Sequence, residues 1–188
     1  MADISVTTAR KLHSAADPVD ATPGTHGAKE PCWDLIELLF FAYRDFVSDP
    51  DEVLAKLGFG RAHHRVLHFV NRNPGIKVAD LLDILKITKQ SLGRVLKQLI
   101  DQGYVVQREG AHDRRQRLLH VSSAGEALAL KLAGLQTERI ARVLNELGPS
   151  GRDAARRFLA GMIDDNDRDQ VLRLIANADR ARPHGKGS

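Results

Sequence analysis

LLDILKITKQSLGRVLKQLIDQGYVVQREGAHDRRQRLLHVSSAG, residues 81–125, is the stretch whose reading decides the fold. Its first half repeats apolar residues at helical spacing. Leu92, Val95, Leu96, Leu99 and Ile100 recur at alternating intervals of three and one, which lays a single apolar stripe along a helix. Thr88 stands just ahead of the stripe, where its hydroxyl can accept from an unpaired first-turn amide. Gly103 stands just past it, a residue suited to the left-handed backbone that ends helices. Two strand-like runs follow, Tyr104-Val105-Val106 and Leu118-Leu119-His120-Val121, with a polar, turn-rich tip from Glu109 to Gln116 between them.

Outward from this unit the pattern stays helical. Residues 78–85 read as a short helix burying Val78, Leu81, Leu82 and Leu85, and Lys86-Ile87 is the turn leading to Thr88. Before it, Asn73-Pro74-Gly75 is a turn signal, and residues 61–73 read as a helix with Ala62, Val66, Leu67 and Val70 inward. A first helix begins near Pro31, tolerated in an opening turn, and carries Trp33, Ile36, Leu39, Phe40, Tyr43 and Val47 at helical spacing. Asp49-Pro50 is expected to end or bend it. A short helix through Val53, Leu54 and Leu57 would follow, closed by Gly58 and Gly60. Downstream, Ser122 or Ser123 caps a long helix over residues 125–147, Gly148-Pro149 stops it, and Ser150 caps the next. Helices over 154–163 and 170–178 complete the chain.

The fold class this predicts is mainly α with a small β-hairpin: a winged helix-turn-helix flanked by dimerisation helices. The expected organisation is a disordered arm (1–29), an N-terminal dimerisation helix and linker (30–60), the winged unit (61–121), C-terminal dimerisation helices (122–179) and a flexible tail (180–188). A unit of about 60 residues cannot bury the long flanking helices, and a second copy of the chain is the simplest cover for their apolar stripes. A homodimer would present two reading helices about one DNA turn apart, roughly 34 Å, as symmetric operators require.

Charge is placed unevenly. Residues 61–120 hold 12 Lys and Arg against 5 Asp and Glu, while the remainder holds 16 against 19. A basic middle between acidic flanks points to a polyanion partner for the middle alone. The single cysteine, Cys32, allows no intrachain disulfide and fits a reducing cytoplasm. There is no apolar run of membrane-spanning length, so no membrane span is expected, and residues 1–29 lack the apolar core of a secretory signal. No phosphate loop, nucleophile elbow or dense His/Cys cluster supports an enzyme, and no cofactor is expected.

The winged unit resembles the MarR family of bacterial transcription regulators over about residues 33–147. The most specific match is Asp113-Arg114-Arg115 followed by Leu118, Val121, Ser122 and Gly125, which resembles the family's D-x-R or D-R-R tip and its L-T-x-x-G exit. Val121-Ser122 stand where Leu-Thr is usual. Leu99-Ile100, Gly103, Tyr104 and Val105 resemble the family's helix-to-hairpin junction. The resemblance implies obligate dimers with interleaved first and last helices, short palindromic operators, and frequent repression relieved by a small phenolic or aromatic ligand, a metal or an oxidant.

Lys89, Gln90, Arg94 and Lys97 lie opposite the apolar stripe of the helix after Thr88. Gln90 has the geometry to bond adenine and Arg94 guanine, each bidentately. Ser91 and the helix N-terminus suit a phosphate, and Gly93 leaves room for close approach. At the tip, His112, Arg114, Arg115 and Arg117 surround one acid, Asp113. By resemblance, Arg115 is the candidate for a narrow minor groove, with Asp113 bracing an arginine. Arg61, Arg65, Arg72 and Lys77 are candidate phosphate clamps. Against these stands a bland alternative, a solvated helix face and a charged hairpin on a protein-binding module that never reads DNA.

Sensor chemistry is open on several residues. Trp33, Phe40, Phe41, Tyr43, Arg44 and His68 could line a pocket for a small aromatic carboxylate, though aromatics at this spacing equally serve a core or dimer contact. His64 and His68, four apart on one helix, suit one metal ion but lack an identifiable third ligand. Cys32 at a helix start could act as a redox thiol.

Overall fold

A computed structural model of the chain describes residues 30–110 and 116–181. Among these described residues, seven helices and three short strands follow in the order α1 (Trp33–Ala55), α2 (Arg61–Arg72), β1 (Ile76–Lys77), α3 (Val78–Leu85), α4 (Lys89–Asp101), β2 (Val105–Glu109), β3 (Arg117–Val121), α5 (Ser123–Leu147), α6 (Gly151–Gly161) and α7 (Asp165–Ala181). The expected arm, the hairpin tip at 111–115 and residues 182–188 of the expected tail fall outside the described residues, and so do four residues singled out above, His112, Asp113, Arg114 and Arg115, while Arg180 and Ala181, expected in the tail, belong to α7.

The strands form one antiparallel sheet in the order β1-β3-β2. β2 and β3 pair from Val105 opposite Val121 to Glu109 opposite Arg117. β1 was not expected. Two residues carry no strand pattern of their own, and Ile76-Lys77 becomes a strand only by pairing with Leu119 and Leu118. Here the Asn73-Pro74-Gly75 turn, with Gly75 at φ 84°, delivers the chain to the free edge of β3.

One core joins these pieces. It draws Leu54 and Phe59 from before residue 61, the stripes of α2, α3 and α4, Val105 and Leu119 from the hairpin, and Leu128, Ala129 and Leu132 from α5. Leu54, Val66, Val70, Leu81, Leu92, Leu99, Leu119 and Leu132 are wholly shielded from solvent. Burying a side chain of this kind contributes about 1.5–3 kcal/mol, and eight such residues around one sheet edge hold the helices in fixed relation.

The helix does not end at Asp49-Pro50. α1 runs on to Ala55 with Pro50 inside it. Proline denies the Phe46 carbonyl a helical partner, a cost of about 3 kcal/mol in an isolated helix. That cost is offset locally, because Val47, Pro50 and Leu54 are all buried and Arg139 on α5 donates to Asp49 at 2.9 Å. Ser150 also departs from expectation: it precedes α6 in helical backbone and makes no capping bond. α7 is longer than the 170–178 read from its apolar residues, because its first turn is acidic (Asp165, Asp167) and suited to a helix N-terminus rather than to a core.

Candidate nucleic-acid interface

The turn between α3 and α4 is built from the backbone outward. Lys86 takes the left-handed conformation, φ 52°, and closes α3 by bonding its amide to the Leu82 carbonyl. Thr88 then caps α4: its Oγ1 accepts from the Ser91 amide at 3.2 Å and donates to Ser91 Oγ at 3.0 Å. The cap orients a helix whose buried side is Leu92, Val95, Leu96 and Leu99.

The opposite side is polar and open. Lys89, Gln90, Arg94 and Lys97 are exposed, and Ser91 is half-buried beside the cap. Space over Gly93 is empty, so a flat polyanion could approach the backbone there. Lys97 is not wholly available, since its Nζ pairs with Asp101 one turn on, at 2.5 Å. The two ends of the described hairpin are drawn together by the Gly110 amide on the Gln116 carbonyl at 3.1 Å, and Arg117 bridges across the pair to Glu109 at 3.2 Å. Arg108 on β2 is exposed as well. It was not among the residues expected from the sequence. Strand alternation starting from buried Val105 does not single it out, since Gln107 and Arg108 are both outward.

The proposed phosphate clamps fare differently. Arg61 is held by Asp51, Nε to Oδ2 at 2.7 Å, and that bond and charge raise its pKa above the ordinary value. Arg72 pairs with Asp179 on α7. Arg65 donates to the Leu85 carbonyl at 2.8 Å, so it braces the end of α3. Arg61 and Arg72 have their charge paired within the chain, whereas Arg65 keeps an unneutralised charge beside a backbone carbonyl. Lys77 is exposed at the end of β1, and its own amide bonds Asp80.

Trp33, Phe40 and Arg44 stand on the exposed side of α1, and His68 is exposed on α2 with its ring edge-on to Phe69. Arg44 lies 4.9 Å from the centre of the Phe41 ring and bonds Asp45 at 2.7 Å, which raises the arginine pKa and lowers that of the carboxylate. Two open grooves among the described residues are lined by none of these four. One, of about 570 Å³, lies between α6 and α7; the other, of about 520 Å³, runs beside α4 toward Gln107.

His64 is half-buried, and burial pushes its pKa below the ordinary imidazole value while the Asp51 carboxylate works against that shift. Among the described residues no group of three or more His, Cys, Asp or Glu side chains is gathered as for a metal ion, so His64 and His68 gain no third ligand there. Cys32 is exposed immediately before α1.

Comparison with known proteins matches this geometry to one family. The MarR family model matches residues 57–116, from the α1–α2 corner to the foot of β3. The transcriptional regulator PetP of Rhodobacter capsulatus, described as of helix-turn-helix type, is 45% identical over 129 residues, which cover 69% of this chain and 78% of PetP. Among solved structures, the transcriptional regulator SlyA superposes with a TM-score of 0.58 at 17% identity, over 79% of this chain and 99% of SlyA. NadR in complex with 4-hydroxyphenylacetate superposes with a TM-score of 0.58 at 20% identity, over 76% of this chain and 96% of NadR. No described helix is long and apolar enough to cross a membrane. With the capped helix, the antiparallel hairpin and these matches together, the chain belongs to the MarR family of winged helix-turn-helix, DNA-binding transcription regulators, and not to a family of enzymes.

Proposed function

We propose that the protein acts as a homodimer, reads a palindromic operator through α4 and the hairpin, and represses until a small aromatic ligand releases it. The reading unit is residues 61–121, between dimerisation segments 30–60 and 122–179. The observation that carries the proposal is the exposed Lys89, Gln90, Arg94 and Lys97 face on a helix fixed by the Thr88 cap. Gln90 and Arg94 supply base contacts, Lys89, Ser91 and Lys97 supply phosphate contacts, and Arg115 enters the adjacent minor groove, flanked by His112, Asp113, Arg114 and Arg117.

Dimerisation is supported by apolar surface the chain leaves uncovered. The first turns of α1 are apolar on every side apart from Asp34 and Glu37, and Trp33 and Phe40 are 64% and 67% exposed. A helix of that kind belongs in an interior. Residues 30–43 also carry Glu30, Asp34 and Glu37 and no cation. The groove between α6 and α7 is complementary: Ala160, Leu172 and Ala176 floor it, and Arg156, Arg157, Arg173 and Arg180 outnumber its one acid, Asp169. The acidic, aromatic start of α1 from a second copy fits that groove.

The ligand step rests on likeness. NadR is a structural neighbour in complex with 4-hydroxyphenylacetate, and Trp33, Phe40, Arg44 and His68 offer aromatic faces and a cation to such an acid once a second copy encloses α1. A mobility-shift titration on duplexes selected from randomised DNA tests the reading. Expected are palindromic sites, two chains per duplex, and log affinity falling steeply with log salt concentration. A chain that selects no duplex at low ionic strength ends this reading.

A further inference from the structure

The first turn of α2 carries a histidine that the DNA-reading surface does not use directly. His63 Nδ1 accepts from the Gly60 amide at 3.1 Å, reaching back over the start of its own helix. A nitrogen that accepts from an N–H carries no proton, so the proton sits on Nε2. That nitrogen faces the side-chain oxygen of Gln98 on α4 at 2.5 Å. The ring is also stacked on Phe59, 4.7 Å between centres and 18° from parallel. Phe59 in turn is buried and meets Tyr104, at the junction of α4 and the hairpin, edge-on at 5.3 Å.

We propose that His63 is a positioning residue for DNA reading: it pins the C-terminal half of α4 to the α1–α2 corner through Gln98. Gln98 lies one turn beyond Arg94 and two turns beyond Gln90, so the pin bears on the helix that carries both base-reading side chains. Two residues further along α2, Arg65 holds the Leu85 carbonyl at the end of α3, just before the turn into Thr88, and so steadies the approach to the other end of α4. His63 and Arg65 therefore make a two-point mount. Hydrogen bonds to base edges weaken steeply with small errors in distance and angle, whereas attraction to phosphates does not demand such alignment. Loosening the mount must cost sequence-specific affinity more than general affinity for DNA.

The inference rests on α4 reading DNA, and its test separates the two. Wild-type protein first selects a duplex from a randomised pool. Affinities for that duplex and for a scrambled one are then measured for His63→Ala, His63→Asn, Gln98→Ala and the His63→Ala/Gln98→Ala double variant, alongside thermal melting. His63→Asn retains an acceptor for the Gly60 amide but falls short of Gln98, and Gln98→Ala leaves α2 untouched, so both remain informative if His63→Ala folds poorly. The expected result is about a three- to tenfold loss on the selected duplex for each single variant, the scale of one hydrogen bond. Affinity for the scrambled duplex should hold, and the double variant should be no worse than either single one. Additive losses, equal losses on both duplexes, or unchanged selectivity overturn the pin while leaving DNA reading intact. Failure of the wild type to select any duplex overturns both.

Discussion

The backbone at Gly125 runs so close to Tyr104 that a β-carbon at 125 would stand 2.0 Å from the Tyr104 carbonyl oxygen. The approach follows from the way α5 leaves the hairpin. The Ser122 amide bonds that same carbonyl at 3.0 Å, while Ser122 Oγ donates to the Gly103 carbonyl at 2.6 Å and accepts from the Gly125 amide at 3.0 Å. Four residues thus lock the end of α4, the end of β3 and the start of α5 together. Gly125→Ala must push α5 off this junction and is expected to destabilise the fold by roughly 1–3 kcal/mol, as overpacking does. Urea melts read it as a lower midpoint at unchanged slope. An unshifted midpoint would mean that the junction yields without cost.

On α4, Arg94 and Lys97 are both exposed but differ in their surroundings. Arg94 has no ion-pair partner among the described residues, whereas Lys97 pairs with Asp101. Arg94→Ala is expected to weaken binding to a selected duplex by roughly 1–3 kcal/mol and to relax base choice at one position. Asp101→Asn is expected to do the reverse for affinity, since it frees Lys97 and removes an acid from the phosphate path. That gain should appear at low salt and shrink as salt rises. Parallel titrations at two salt concentrations check both variants, and a salt-independent Asp101→Asn gain would refute the ion-pair argument.

Acid should loosen the fold through His64. Its folded pKa lies below the ordinary value because burial disfavours the charged ring. The unfolded chain therefore binds the proton first as pH falls. Stability is complete above the ordinary imidazole value, about 6.5, and is lost progressively as pH drops from there toward the lower folded value. His120 shifts in the same direction, through burial and then the nearby Arg108 charge. Melting temperature should fall between pH 7.5 and pH 5.5, and His64→Gln, with nothing to titrate at 64, should flatten that slope. An equally steep slope in the variant would assign the effect elsewhere.

How far these features could be read from the sequence depends on their range. Thr88, Gly103 and Ser122 act on backbone within a few residues of themselves or at a single junction, so the caps and the stop of α4 were legible. The polar face of α4 was legible because it is the complement of the apolar stripe. β1 was not, since Ile76 is a strand residue only by virtue of Leu119, more than forty positions away. Pro50 misled for the same reason: a local rule for breaking helices was overridden by burial against distant elements. The partners of Arg61, Arg65 and Arg72, which are Asp51, the Leu85 carbonyl and Asp179, were not legible because they share no pattern with those arginines along the chain.

The pairing of two copies can be examined with the protein's one native thiol. Cys32 is exposed directly ahead of Trp33, on the acidic, aromatic segment assigned to the α6–α7 groove of a second copy. Ala160 and Ala176 floor that groove. If α1 seats there, a cysteine at one of the two floor positions comes within disulfide reach of Cys32, roughly 4.4–6.8 Å between Cα atoms. Mild oxidation of Ala160→Cys or Ala176→Cys should then give a covalent dimer on a non-reducing gel. The same variants in a Cys32→Ser background should stay single, and so should Ala124→Cys, exposed at the start of α5 beside the hairpin. Light scattering on the reduced protein reports the oligomeric state independently. A dimer by light scattering with no crosslink from either floor position would keep the dimer and reject this seating of α1. A monomer by light scattering would remove the second copy altogether, and with it the enclosure that a ligand site around Trp33, Phe40, Arg44 and His68 requires.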